Sequence, residues 1–206
     1  MFYRPAEGHG LPHDPFKAMV APRPVGWVST LDAQDRANLA PYSFFNGCGD
    51  APPLVMFAQT GRKSRPEAVK DTIANVRATG EFACNIVSKA LKDAMNLSSG
   101  TYQPEVDEFE LAGLTKTPGR AIAAPHVGEA PAVLECRTVK IVDDLPSWRE
   151  HAFNIIVIGE IVGVHIDDAY IREDGRIDVE AFKPVARMGY MDYTTVTDVW
   201  EMLRPD

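Results

Sequence analysis

Prolines and glycines occur along the whole chain, and their number limits the folds that this sequence can adopt. The 206 residues include 16 prolines and 15 glycines, which imply many turns and argue against a helical bundle. The length suits one domain. We therefore expect a single domain over residues 1–206, with an N-terminal arm over 1–20 and a C-terminal tail over 196–206.

The charge and the apolar runs exclude several classes of protein. The formal net charge is −8, and an acidic surface repels phosphate backbones, so nucleic-acid binding is not expected. No apolar run approaches the roughly 20 residues that a membrane span needs, and residues 1–20 lack the apolar segment of a signal peptide. Three widely spaced cysteines suit reduced thiols, so we expect a cytoplasmic location.

The common catalytic and metal-binding motifs are absent from the sequence. It has no G-x-S-x-G, no P-loop and no G-x-G-x-x-G. The five histidines form no H-E-x-x-H and no H-x-x-x-H on a credible helix, because Gly10 and Pro12 interrupt the interval between His9 and His13. The sequence therefore predicts no metal site.

The first third of the chain reads as short extended segments. β-Branched and aromatic residues predict strands over 25–31, 38–46 and 53–59, and Pro41 places the second of them at a sheet edge or a bulge. Their close spacing suggests a meander. Val69, Ile73 and Val76 then follow a helical period that ends at Gly80.

The remainder of the chain adds long strands and few helices. Strands are predicted over 82–88, 132–142 and 154–166, short strand and turn pieces over 167–187, and short helices over 89–97 and 196–203. The predicted fold is mainly β: an antiparallel barrel with a few flanking helices. The segment 154–162 is apolar on both faces, so it is buried on both sides or lines a homodimer interface.

The segment from Arg23 to Thr72 concentrates side chains that suit one class of ligand. It supplies hydroxyl groups, an amide, a basic cluster at 62–70, a helix N-terminus and several aromatic rings. A phosphate joined to a flat aromatic ring needs all of these together. Each part also has a plainer interpretation, because aromatic residues fill cores, charge runs cover solvated faces, and Ser and Thr occur in strands and caps.

Several short motifs resemble one known family. They are RPVGWVST from Arg23, NLAPYSFFN from Asn38, the residues Lys70-Asp71-Thr72 followed by Asn75, GEF from Gly80, GEIVG from Gly159 and RMGY from Arg187. Their order resembles the flavin reductase-like, FMN-binding split-barrel family, which includes flavoredoxins and the reductase components of two-component monooxygenases of the nitrilotriacetate type. The resemblance covers roughly residues 15–195 and implies a Greek-key split β-barrel.

The resemblance also implies a set of cofactor-binding residues. Ser29 and Thr30 would lie beside the flavin, and Lys70, Asp71 and Thr72 near its phosphate. Backbone N–H groups of 38–45 would suit the pyrimidine edge of the ring. The complete predicted set is Trp27, Ser29, Thr30, Asn38, Ala40, Pro41, Ser43, Phe44, Arg62, Lys63, Ser64, Lys70, Asp71, Thr72 and Tyr190.

The family frequently carries a histidine near the nicotinamide, and two residues here are candidates. His126, in a loop after Pro125, is preferred as the catalytic residue, while His165 lies in a strand and is more typical of a structural role. Tyr190 and Tyr193 would cover the ring from a partner subunit or pack in the core.

The implied activity is NAD(P)H:flavin oxidoreduction, with hydride transfer to N5 of FMN, or of FAD as the alternative flavin. A monooxygenase that receives reduced flavin is a candidate partner, and a homodimer is expected. Two alternatives stay open: a flavoredoxin-type electron carrier without direct NAD(P)H activity, and a flavin-free binding barrel.

Overall fold

The computed structural model describes residues 1–61, 69–148 and 152–205. Strands dominate the described residues. They are β1 (Arg23–Pro24), β2 (Gly26–Leu31), β3 (Ala37–Tyr42), β4 (Phe45–Asp50), β5 (Pro53–Gly61), β6 (Glu81–Ile86), β7 (Lys116–Thr117), β8 (His126–Val127), β9 (Ala132–Val142), β10 (Phe153–Ile166), β11 (Val185–Arg187) and β12 (Tyr193–Thr195). The helices are α1 (Phe16–Met19), α2 (Asp71–Thr79), α3 (Lys92–Leu97), α4 (Glu108–Leu111) and α5 (Val179–Phe182).

Seven strands form one antiparallel sheet, in the order β3-β2-β6-β9-β10-β5-β4. The predicted meander is wrong. The extended segment 38–46 divides at Ser43 and Phe44 into β3 and β4, which lie at opposite ends of the sheet order. Pro41 does lie on an edge strand, as predicted, because a proline cannot donate to a second neighbouring strand.

The two ends of the sheet approach each other through side chains. The Tyr42 and Phe57 rings are 4.8 Å apart between centroids. A Cβ on Gly26 would lie 2.5 Å from the ring of Phe45, so only glycine lets β4 come this close to β2. The sheet is thus curled into a barrel whose edge strands are not paired with each other. The mainly β, antiparallel split-barrel fold class is confirmed.

The barrel interior is one apolar core. Alternate residues of neighbouring strands point inward, including Val28, Phe82 and Val157. Ile73 and Val76 of α2 join the same core, so this helix packs its predicted apolar face against the barrel. Gly80 ends α2 in the left-handed conformation, with φ 72°, as the sequence indicated.

A second core lies on the outer face of β2 and β3. Trp27 and Leu39 are fully buried there against residues of the 87–130 segment, including Met95 and Phe109. This segment carries α3, α4, β7 and β8 and covers the side of the barrel. We call it the excursion.

Two local predictions near the C-terminus are wrong. Residues 196–205 contain no helix, and 167–187 include the four-residue helix α5 besides short strands and turns. Both segments are largely exposed, so apolar packing does not decide their structure. Among the described residues, no helix combines the length and the apolar character needed to cross a bilayer.

Candidate functional site

A cleft opens where the edge strand β3, the start of α2 and the excursion meet. Six predicted cofactor-binding residues line it: Asn38, Ala40, Pro41, Lys70, Asp71 and Thr72. The other wall consists of Ser98, Ser99, Gly100, Thr101, Tyr102 and Glu108. The sequence reasoning missed this second wall, although a run of small polar residues around a glycine is typical of loops that approach ligands.

Side-chain hydrogen bonds fix α2 against the strands that it caps. The Asn38 amide donates to the Thr72 hydroxyl at 2.9 Å, and the Asn75 amide donates to the Thr30 hydroxyl at 3.0 Å. All four residues are buried. The first turn of a nine-residue helix, with the positive end of its dipole, is thereby held at the cleft.

The cleft contains both charge signs. The Lys70 ammonium lies 5.2 Å from the centre of the Tyr42 ring, and the Lys70 backbone N–H donates to the side chain of Gln59 at 3.2 Å. On the opposite wall, Glu108 accepts the Leu39 backbone N–H at 3.0 Å. Burial raises the pKa of Glu108 above its ordinary value.

The edge of β3 offers fewer donors than the sequence suggested. The Leu39 N–H is occupied by Glu108, and Pro41 has none. Asn38 and Ala40 alternate with these residues along the strand. Their backbone N–H groups face β2, where the two residues pair with Thr30 and Val28. Backbone donors from this segment must therefore come from Ser43 onward.

Two predicted residues lie behind the cleft instead of in it. Trp27 and Ser29 are fully buried. The Trp27 indole N–H donates to the hydroxyl of Ser98 at 2.8 Å, and the Ser29 hydroxyl donates to the carbonyl of Pro125 at 2.6 Å. Both side chains therefore anchor the excursion, and Trp27 positions the cleft wall at Ser98.

Other predicted residues lie on different surfaces. Phe44 lines a separate depression with Phe16, Lys17 and Trp148, and its ring is stacked on Phe16 at 6.5 Å. Ser43 follows β3 at the turn into β4. Half-exposed Tyr190 makes an edge contact with His13 at 5.6 Å. Arg62, Lys63 and Ser64 fall outside the described residues.

His126 lies in the short strand β8 and is buried, so the predicted loop position is wrong. Its ring is 4.5 Å from that of His165, and the fully buried carboxylate of Glu135 contacts the His165 ring. The structure does not bring His126 to the cleft. Burial lowers the pKa of His126, which favours the neutral imidazole.

The Glu135 carboxylate is held by backbone donors. It accepts the N–H groups of Arg120 at 2.8 Å and Ala121 at 2.6 Å. Burial alone would raise its pKa, but these bonds and His165 outweigh it and lower the pKa. We call His126, Glu135 and His165 the His–Glu–His cluster. No sequence motif indicates this cluster, because its members come from three separate strands.

A family model described as "Flavin reductase like domain" matches residues 19–179. The chain belongs to this flavin reductase-like family. A protein of Aquifex aeolicus is 36% identical to it over 171 residues, which are 83% of each chain. The family resemblance that the motifs indicated is confirmed.

Solved structures agree with the family and the fold. Nitrilotriacetate monooxygenase component B from Bacillus cereus superposes with a TM-score of 0.86 at 29% identity, over 98% of both chains. Flavoredoxin of Desulfovibrio vulgaris superposes with a TM-score of 0.73 at 28% identity, over 88% of this chain and 90% of its own. Family membership supports an oxidoreductase role in general.

Proposed function

We propose that the cleft binds FMN and that this protein is an NAD(P)H:flavin oxidoreductase. The observation that carries the proposal is the convergence of Asn38 from β3 with Lys70 and Thr72 from the start of α2 on one cleft. The family and the similarity to the Desulfovibrio flavoredoxin support a flavin as the ligand.

The donors in the cleft fit a phosphorylated ligand. A phosphate requires cations and N–H or O–H donors. The Lys70 ammonium, the Thr72 hydroxyl and the N-terminal turn of α2 provide these groups. Glu108 and Asp71 counterbalance this positive field, so we assign the phosphate to the side of the cleft that Lys70 and Thr72 form.

The bound flavin would supply the redox chemistry, because its N5 atom would accept a hydride from the nicotinamide. The residues of this chain bind and orient it. Pro41 and Ala40 offer a flat apolar strip along β3, and donors near Ser43 would favour negative charge at the pyrimidine edge. Because hydride transfer needs stacking and not an acid–base pair, the absence of His126 from the cleft does not weaken this proposal.

A flavoredoxin-type carrier is the second candidate, favoured by the similarity to the Desulfovibrio flavoredoxin. An anaerobic titration separates the two. The FMN-loaded protein is mixed with NADH or NADPH in stoichiometric amounts, and the flavin absorption is followed. Rapid bleaching with either nicotinamide is expected for a reductase. An unbleached flavin that a protein reductant still reduces would favour the carrier, and failure to take up FMN would contradict both.

We also propose that a second copy of the chain completes the site. Ile155 and Val157 of β10 face the core, while Ile156 and Ile158 on the other face stay only partly buried. Trp200 of the tail is 69% exposed. A homodimer would cover such surfaces. Light scattering should give the mass of two chains at micromolar concentration, and a monomer would contradict the proposal.

A monooxygenase is the proposed recipient of the reduced flavin. The Bacillus cereus relative is a component of a nitrilotriacetate monooxygenase, which supports this role. The open cleft suits a flavin that leaves after reduction. We expect reduced FMN to pass into solution during turnover, which a diffusible oxidant such as cytochrome c would detect, and retention of the flavin through many turnovers would oppose a supply role.

A further inference from the structure

The His–Glu–His cluster lies on the outer face of the barrel, away from the cleft. His126 comes from β8, Glu135 from β9 and His165 from β10. In the β9–β10 pairing, Glu135 faces Gly163 and His165 faces Val133, so both side chains project from the same face. One ligand atom from each of the three residues lies within 4.8 Å of the other two.

The buried His126 side chain is unpaired among the described residues. It is only 6% exposed, and within the part of the chain that the structure describes neither ring nitrogen has a partner. Most buried polar groups are hydrogen-bonded, because an unpaired one has lost its hydration without replacement. An imidazole that faces a carboxylate and a second imidazole therefore calls for a ligand.

Glu135 is fully buried and is oriented by the N–H groups of Arg120 and Ala121. Carboxylates that bind metals are usually held by such outer contacts. His165 completes the set with a side chain that is 23% exposed. Solvent therefore reaches one side of the cluster, which gives an ion a path of entry and leaves space for a water ligand.

We propose that His126, Glu135 and His165 bind a divalent transition-metal cation of the zinc class. Two imidazoles and one carboxylate are typical ligands for Zn²⁺ and its neighbours, whereas Mg²⁺ and Ca²⁺ prefer oxygen ligands alone. Metal–ligand distances of about 2.0–2.2 Å require the cluster to contract slightly. The His126 ring can move inward without breaking a side-chain hydrogen bond among the described residues.

The ion would act as a clamp on the excursion and not in flavin chemistry. It would join β8 of the excursion to β9 and β10 of the barrel. In the sheet order, β9 and β10 are three and four strands from β3, which is about 14–19 Å measured along the curled sheet at a strand spacing of roughly 4.8 Å. Binding should raise the melting temperature and leave flavin reduction unchanged.

The direct test is zinc binding by the wild-type chain. After treatment with a chelator and desalting, calorimetric titration with ZnCl₂ should show one equivalent bound per chain, with a Kd of about micromolar or below. The melting temperature should rise by several degrees. His126→Gln and His165→Gln should lose the bound equivalent, whereas His13→Gln, which changes an exposed histidine, should retain it.

NMR of the histidine rings in the wild-type chain provides a test that does not depend on whether the cluster variants fold. In the wild-type chain, Zn²⁺ should shift the ring signals of two of the five histidines. A wild type that binds no zinc would overturn the proposal, as would zinc that stays bound in both folded cluster variants or ring shifts that fall on other histidines. The cluster would then be an ion pair of Glu135 with His165, with His126 as a neighbour.

Discussion

The cleft and the His–Glu–His cluster both contain buried polar side chains, but Asn38 and Asn75 at the start of α2 are hydrogen-bonded, whereas the His126 ring is not paired within the described residues. The amides of Asn38 and Asn75 donate to threonine hydroxyls, so these two pairs form without a ligand. His126 has no such partner among the described residues. Paired groups maintain the fold by themselves, whereas the His126 ring, beside a carboxylate and a second imidazole, suits a ligand that the chain alone does not provide.

The two regions also differ in how they are enclosed. The cleft is open at an edge strand, so its ligand can leave while the barrel stays folded. The cluster lies under the excursion and between bonded strands. We therefore expect changes in the cluster to alter stability most, and changes in the cleft to alter ligand affinity most.

The largest effect should come from Glu135→Ala. It removes a fully buried carboxylate that holds two partly buried backbone N–H groups and His165, which should reduce the free energy of unfolding by about 3–5 kcal/mol. Urea denaturation measures this. The control Glu105→Ala removes an exposed carboxylate and should change stability by less than about 0.5 kcal/mol. An equal loss of unfolding free energy in both variants would show that the buried carboxylate stabilises the fold no more than an exposed one.

Asn85→Ala should have the next largest effect, because this residue connects the two regions. Its amide donates to the Trp27 carbonyl at 2.8 Å and accepts the Val127 N–H at 2.8 Å. Losing both should destabilise the fold by about 2–4 kcal/mol. The control Asn46→Ala, at an exposed position, should be nearly neutral. A small effect of Asn85→Ala would show that the hydrogen bonds of this residue contribute little to holding the excursion.

Lys70→Ala should weaken FMN binding by about 10–100-fold, because a charge-assisted bond to phosphate contributes about 1.5–3 kcal/mol. Flavin fluorescence quenching measures the Kd. At saturating FMN the hydride step should stay within about threefold of the wild type. Lys140→Ala, on an exposed part of β9, is the matched control. Unchanged FMN affinity in Lys70→Ala would refute the phosphate assignment.

Glu108→Gln should have the smallest effect. The folded chain holds the Glu108 proton more tightly than the unfolded chain, because burial raises its pKa. This carboxyl therefore lowers the free energy of unfolding as the pH rises from its ordinary pKa through the raised pKa of the folded chain. Glu108→Gln should flatten that dependence and tighten FMN binding modestly. Parallel stability–pH curves for the two proteins would contradict the pKa shift.

The sequence predicted most strands because each has a local signal, the run of β-branched and aromatic residues. It did not predict that β3 and β4 lie at opposite ends of the sheet, since nothing local reveals which strands pair. The prediction of a helix in the C-terminal tail was wrong for a related reason. Residues 196–203 have an apolar pattern that favours a helix, but the described chain provides no buried surface against which a helix could pack.

The candidate sites show the same limit. Asn38, Lys70 and Thr72 could be chosen because they occur in compact motifs near one another in the sequence. Trp27 and Ser29 come from the neighbouring motif RPVGWVST, but their side chains lie on the face of β2 that the excursion covers, so they anchor the excursion and do not line the cleft. The His–Glu–His cluster has no motif, because strand pairing brings together residues that are nine and thirty positions apart.

The contact of Gly26 with the Phe45 ring has a mechanical consequence. The barrel closes there on an aromatic face and not on a ladder of backbone bonds, so this seam can part without breaking main-chain hydrogen bonds. Gly26→Ala would wedge it open, because the added methyl group has no room. A molecule bound beside the seam would therefore reduce the motion of the domain, and its release would restore that motion.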